Sequence, residues 1–344
     1  MKTIQQFQRT NEGLPSPAGD FTTVIRPLVS FVIPVYNDEK NISRCLQSIK
    51  NQVFPTHDIE LVILDNGSTD RTPMILEEMG TPFHVVPNVH VSGLRNYGAS
   101  LAHGEYLAFV DSDVELVPQW LSKGLEAFRR SDVVANGCFP NIPKESTWVQ
   151  RTWDIHQRGR HLLSGPSPVS WLPSMNLVVR RQVFWDVGGF NEALETAEDV
   201  DLCYRLGKRG VILCNPAMEA IHWGEARDLA TFWKKEVWRG LGNMAGVKSH
   251  GWRRDEVPSL LYPLYMIVCS ASAVVSWLIL WLLGQWWWIP LSLGAMGLPA
   301  AVLSMRTARQ ANKYIAVPSL FLLYLTYGLA RAYSVGKAFV SGMK

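Results

Sequence analysis

Two carboxylates one residue apart, Asp111-Ser112-Asp113, close the apolar run EYLAFV. Like charges this close repel, and a cation between them relieves the repulsion. Hard oxygen ligands suit Mg²⁺ or Mn²⁺, ions that bridge to phosphate oxygens rather than filling an all-protein cage. The same pair is common in surface loops and helix caps; its place at the end of an apolar strand is what points to a metal. A second acidic group, Asp65-Asn66-Gly67-Ser68, ends the run ELVILD. It serves equally as a turn, since Asp and Asn tolerate left-handed backbone, or as a carboxylate that accepts a hydrogen bond from a nucleobase imide. A third, Glu198-Asp199-Val200-Asp201, is either the first turn of a helix, where acids meet the positive dipole end, or the source of a base for an acceptor hydroxyl. Arg95, in SGLRNYGAS, suits a diphosphate or a surface ion pair, and His222, in AIHWG, a metal or an aromatic core.

The elements that must position these residues alternate. Strand-length apolar runs lie at 29–35 (VSFVIPV), 60–65 and 105–111, bounded by Asn, Gly or Asp. Between them, residues 40–52 place Ile42, Cys45, Leu46 and Ile49 on one helical face, and a helix over 70–79 opens with Asp70 as N-cap before Thr72 and Pro73. Strands alternating with helices predict a mostly parallel α/β sheet, whose ligands bind at the carboxyl ends of the strands. All three runs end there in polar residues: Tyr36-Asn37, Asp65-Asn66 and Asp111-Ser112-Asp113.

The 344 residues carry a net charge of +3, which hides an asymmetry. Residues 1–226 hold 20 Lys+Arg against 26 Asp+Glu, residues 227–258 hold 7 against 4, and residues 259–344 hold 6 basic residues and no acid. Eight of the 14 tryptophans lie beyond residue 226. The polar stretch 1–27 lacks the apolar core of a signal peptide and reads as a mobile lead-in. Residues 28–226 form the α/β domain. Residues 227–257, basic and aromatic, with Phe232, Val237 and Leu241 able to share a side, read as an interfacial amphipathic segment or as an ordinary helix packed on that domain. From Pro258 to Met305, 48 residues carry no charge. Three apolar segments, about 259–283, 286–305 and 314–333, make 258–344 a membrane domain, the first two long enough as helices (roughly 30–37 Å) to cross a bilayer. Trp286, Trp287 and Trp288 mark an aromatic belt beside the Gly284-Gln285 break. Arg306, Arg309 and Lys313, with the 227–254 segment, set the α/β domain on the cytoplasmic side of an integral membrane protein. The third segment is the weaker span, because it would place Lys337 and Lys344 on the far side.

Composition excludes other classes. At 47% apolar and 18% charged residues the chain is neither disordered nor fibrous. Five scattered cysteines without a CxxC pair exclude a disulfide scaffold and a zinc ribbon, and suggest reduced thiols facing the cytosol. No GxGxxG, P-loop, GxSxG or HExxH occurs, and no basic aromatic face suggests nucleic acid.

Taken in order, VSFVIPVYNDEKNISRCLQSIKNQ (29–52), LVILDNGSTDRT (61–72), GLRNYGASLAHGEYLAFVDSDVELVPQWL (93–121), NLVVRRQVFWDVGGFNE (176–192), AEDVDLCYRLGKRG (197–210) and IHWG (221–224) resemble the family 2 glycosyltransferases over about 195 residues. The resemblance implies a GT-A fold and inverting transfer of a sugar from a nucleotide-diphosphate donor, UDP-linked or similar, with Mg²⁺ or Mn²⁺. It sets Pro34, Tyr36 and Glu39 beside the nucleoside, Asp65 on the base, Asp113 on the metal, and Asp111 on the metal or the ribose. Arg95 falls near the diphosphate, His222 at a third metal position, Asp199 as general base with Glu198 its rival, and Gly188-Gly189-Phe190 on the acceptor side. Residues 233–239 (WKKEVWR) lack the Q/RxxRW motif of processive synthases, which favours single-sugar addition to a lipid-linked or envelope glycan acceptor, with membrane lipids as partners, in a bacterial inner membrane. The alternatives are a polyprenyl-phosphate sugar synthase, which needs less of a base because phosphate is already ionised, and a non-catalytic sugar-nucleotide-binding membrane protein.

Overall fold

The structure, a computed structural model, describes residues 27–158, 165–250, 257–283 and 289–341. The lead-in at 1–26, the Gly284-Gln285 break with its three tryptophans, and Lys344 lie outside the described residues.

The first half is built of strand–helix repeats: β1 (Val29–Val35), α1 (Ile42–Lys50), β2 (Ile59–Asp65), α2 (Thr72–Glu78), β3 (His84–Val85), α3 (Val91–Leu101) and β4 (Tyr106–Val110). β1 is parallel to β2 and β4, and β2 to β3, so helical crossovers join them. Ile42, Cys45, Leu46 and Ile49 of α1 are buried, as their spacing predicts. Asp70 accepts the Thr72 N–H at 3.0 Å, although Arg71 occupies the cap position of α2. Pro34 is tolerated within a central strand because β1 pairs with β4 only as far as Val32.

The second half contains β5 (Val114–Leu116), α4 (Trp120–Glu126), β6 (Val133–Gly137), α5 (Trp148–Arg158), β7 (Ser167–Pro168), β8 (Asn176–Arg180), α6 (Arg181–Asp186), α7 (Glu198–Leu206), β9 (Val211–Cys214) and β10 (Ala220–His222). Eight strands form one sheet in the order β3-β2-β1-β4-β8-β6-β9-β7. Parallel pairing recurs between β6 and β9 in the second half, but β8 runs antiparallel to β4 and β6, and β7 to β9. The sheet is therefore mixed, a feature set by long-range insertion of β8 that local patterns do not reveal. Alternate residues of β1 feed the two faces, Phe31 and Ile33 packing with α1 and Trp120, Val32 with Phe109, Phe184 and Leu202. A separate ribbon pairs β10 with β5 and sets His222 opposite Val114, directly after Asp113.

Beyond the sheet run α8 (Leu229–His250), α9 (Val257–Leu283), α10 (Ile289–Ala311) and α11 (Val317–Ser341). Among the described residues two stretches are long and apolar enough to cross a membrane, Leu261–Ile279 and Tyr314–Lys337, with mean hydropathies of 1.6 and 1.4. At 1.5 Å per residue the shorter spans about 29 Å, the thickness of a hydrocarbon core. The weaker of the three expected segments thus qualifies, whereas α10 does not. Leu261, Leu264, Val268, Val275 and Leu278 on α9 are exposed. A third apolar core joins Val149 and Trp153 of α5 and Phe232 of α8 to Ala308, Ala316, Leu320 and Tyr324. The buried side of α8 is Phe232, Glu236 and Gly240, in place of the expected Phe232, Val237 and Leu241, which lies only half-buried at its last two positions. A carboxylate enters this core because two arginines meet it: Arg331 of α11 at 2.9 and 3.0 Å and Arg239 at 2.7 Å.

Candidate active site

The carboxyl end of β4 and the amino end of α7 are tied by one side chain. Arg95 of α3, only 2% exposed, donates to Asp111 Oδ1 at 2.6 Å and to Glu198 Oε1 at 2.8 Å. Buried charges persist when paired and hydrogen-bonded in this way. The guanidinium proposed for a diphosphate is therefore divided between two protein carboxylates, and one oxygen of Asp111 faces Arg95. Glu198 and Asp199 open α7 behind Ala197, whose φ of +65° is a left-handed conformation that L side chains rarely adopt. Burial, then the neighbouring Glu198 charge, raises the Asp199 carboxyl to about 7, against the partial offset of the Val200 N–H that donates to it at 2.8 Å.

Asp113 and His222 meet through the β5–β10 ribbon. His222 Nε2 lies 3.2 Å from Asp113 Oδ2, and its Nδ1 lies 3.2 Å from Glu225 Oε1. Burial works against protonation of this ring, yet the two carboxylates raise it to about 10. Burial likewise opposes ionisation of Asp113, but the charge and hydrogen bond of His222, with Lys235 adding, hold it below the usual carboxylate range. Glu225 is held low in the same way, burial being overcome chiefly by its hydrogen bond with His222. Gly224 permits the approach, since a Cβ there would stand 1.8 Å from Asp113 Oδ2.

Among the described residues no group of three or more His, Cys, Asp or Glu side chains is gathered for a metal. The expected trio is brought together only in part: Asp113 with His222, while Asp111 turns an oxygen to Arg95. A divalent ion nevertheless fits. Asp113 Oδ1 is buried without a hydrogen-bond partner, His222 is oriented by a carboxylate on its other nitrogen, and Mg²⁺ or Mn²⁺ sites near phosphates need only one or two protein ligands.

Pro34, Tyr36, Glu39 and Asp65 lie at or just after the ends of β1 and β2, and Gly188 and Gly189 follow α6. Tyr36 is exposed, and Pro34 is buried in β1. Glu39 accepts the Arg71 N–H at 3.1 Å. Asp65 accepts the Ser68 N–H at 3.2 Å and the Ser68 hydroxyl, with Gly67 at φ +79°, so the turn reading of Asp65-Asn66-Gly67-Ser68 is realised. Gly188 and Gly189 both hold positive φ, and a Cβ at Gly189 would stand 2.7 Å from Asn96 Oδ1.

Three contributors escaped the sequence reading. Asp38 accepts the Ser112 hydroxyl at 2.7 Å, and its carboxyl is raised first by burial and then by the charges of Asp113 and Asp70. Glu225 stands three residues after His222, a spacing that could have marked it as the imidazole's partner. Lys235, in the segment open to an interfacial or a packed reading, donates to the Gly224 carbonyl. None of the five cysteines, all of them described, forms a disulfide, and burial followed by the nearby carboxylates pushes Cys45 well above the usual thiol range.

Residues 30–188 match the family model for glycosyl transferase family 2. A glycosyltransferase of Haloferax volcanii, AglE, is 30% identical over 226 residues, covering 63% of this chain and 73% of that protein. The validoxylamine A glucosyltransferase of Streptomyces hygroscopicus subsp. limoneus is 28% identical over 221 residues, 54% of this chain and 49% of its own. This chain thus spans about three quarters of the first relative and about half of the second. Among solved structures, the mannosyltransferase PcManGT of Pyrobaculum calidifontis, in complex with GDP-Man and Mn²⁺, superposes with a TM-score of 0.60 over 91% of this chain and 87% of that one at 17% identity, a likeness of fold.

Proposed function

The chain belongs to the family 2 glycosyltransferases, and from that membership we propose that it adds a single sugar, with inversion, from a nucleotide-diphosphate donor to a hydroxyl of a lipid-linked or envelope glycan acceptor. One observation carries the reading: the Arg95 bridge sets the strand-end Asp111, two residues from Asp113, against the Glu198-Asp199 start of α7.

Asp199 is the general base. Glu198 accepts from Arg95 and is the poorer candidate, while Asp199 has a raised proton affinity matched to neutral pH. The acceptor oxygen attacks the anomeric carbon and gives its proton to Asp199. The bond from that carbon to the diphosphate oxygen breaks, and its electron pair leaves with the diphosphate. One displacement inverts the centre without a covalent nucleophile. Asp113 and His222 would hold Mg²⁺ or Mn²⁺, which when bound supplies positive charge to the departing diphosphate. Pro34, Tyr36, Glu39 and Asp65 border the nucleoside, Asp111 lies on its ribose side, and Gly188-Gly189-Phe190 shape the acceptor side.

The catalytic unit is 28–226, with Phe232 of α8 packed on Trp153 of α5, and 258–344 forms the membrane part. The apolar core that joins α5 and α8 to the α10–α11 connection supports a cytoplasmic catalytic face, because it sets the basic 306–313 segment, the end of α10, beside the sheet domain.

Asp199→Asn tests the assignment. Transfer to hydroxyl acceptors is expected to fall while donor affinity stays within about twofold. Unimpaired transfer would support the polyprenyl-phosphate acceptor instead, and equal loss of binding and transfer would reduce Asp199 to a structural role.

A further inference from the structure

With Arg95 committed to two carboxylates, any protein cation that meets the diphosphate beside the divalent ion must come from elsewhere. Among the described residues Arg44, Arg239, His222 and Lys235 are basic side chains near the site, and three of these four are engaged. Arg44 lies 3.8 Å over the Trp223 ring and 3.8 Å from Glu115. Arg239 is paired with Glu236 at 2.7 Å, and His222 stands between Asp113 and Glu225. The fourth, Lys235, makes no ion pair among the described residues; its half-buried ammonium donates to the neutral carbonyl of Gly224. Gly224 is the residue whose missing Cβ makes room for the Asp113 carboxylate. Lys235 therefore stands one residue's width from the atoms that would hold the metal.

Its position is fixed from the neighbouring residue. Glu236, 1% exposed, is locked between Arg239 and Arg331 of α11, and one turn on Gly240 seats against Ser334, whose Oγ would lie 2.0 Å from an added Cβ. That lock sets the rotation of α8 about its axis, and with it the direction in which Lys235 projects.

We propose that Lys235 of α8 is the protein cation that contacts the diphosphate of the nucleotide donor, with the Glu236–Arg331 pair holding it in place. The inference rests on the donor reading above and adds to it the residue that recognises the second phosphate. A point-charge ammonium suits this task, since it follows a phosphate oxygen without the fixed fork geometry of a guanidinium.

The experiment is equilibrium binding of UDP, GDP, CDP and dTDP, and of the corresponding monophosphates, to the full chain in detergent with Mn²⁺. For the diphosphate that the unaltered chain binds, Lys235→Met is expected to weaken affinity on the order of tenfold to a hundredfold, the scale of a lost hydrogen bond to a charged group. The monophosphate should change by less than about threefold, Lys235→Arg should recover most of the loss, and the unfolding midpoint should stay in place. An unchanged diphosphate affinity in Lys235→Met, or equal losses for mono- and diphosphate, overturns the inference and leaves the donor reading intact. Binding of no nucleotide by the unaltered chain overturns both.

Discussion

Asp113 and Asp199 flank the Arg95 bridge from opposite ends and are shifted in opposite directions: both are buried, which with the Glu198 charge raises Asp199, whereas the imidazole of His222 overcomes burial and lowers Asp113. The Asp199 carboxyl, raised to about 7, ionises as pH passes neutrality. A base at this position gives a transfer rate that climbs about tenfold per pH unit below 7 and levels off above it. A pH–rate profile checks this, and Asp199→Asn should abolish the rising limb. Stability moves the other way. The folded chain holds this proton more tightly than the unfolded chain, whose carboxyl titrates near about 3.9. The group's contribution is therefore complete below about pH 4 and is lost as pH rises through about 7. Asp199→Asn should accordingly raise the thermal midpoint at pH 8 and leave it nearly unchanged at pH 4. Glu225, on the far side of His222, holds the ring through its other nitrogen, which under the proposed metal role would orient it. Glu225→Gln is expected to lower Mn²⁺ affinity about 10–100-fold, measured by metal titration, with the fold intact.

At the level of elements, the chemistry depends on the short β5–β10 ribbon as much as on the large sheet. Its register brings His222 to Asp113 across 109 residues of sequence, and Gly224 closes the approach. Gly224→Ala should abolish metal-dependent nucleotide binding while far-ultraviolet circular dichroism stays the same; retained binding would show that the carboxylate can move aside. These elements also show what a sequence discloses. The ends of β1, β2 and β4, and α1 with its buried face, are legible because they follow from local periodicity and from polar residues that terminate apolar runs. The insertion of β8 between β4 and β6 is not, since antiparallel pairing there is decided by contacts far apart in the chain. Asp65-Asn66-Gly67-Ser68 admits two readings from its residues, and a hydroxyl three residues on completes the turn. Arg95 looked like a ligand-binding cation because its two carboxylate partners lie 16 and 103 residues away.

Across the whole molecule, the acidic catalytic part and the basic apolar part are not simply strung together. The Glu236–Arg331 pair crosses from the helix that carries Lys235 to a helix long and apolar enough to span a bilayer. A half-removed buried pair leaves an uncompensated charge. Glu236→Leu, which strips the buried Arg331 of its carboxylate, is thus expected to cost about 3–5 kcal/mol in unfolding measured in detergent, and replacing Arg331 by Leu as well should recover part of that loss. The most direct test of the account is nucleoside diphosphate release from a panel of sugar nucleotides, with Mn²⁺ and membrane-lipid extract, by the full chain and by Asp113→Ala. The account predicts turnover of at least one donor by the unaltered chain and none above background by a folded Asp113→Ala variant. Full turnover by that variant would contradict it.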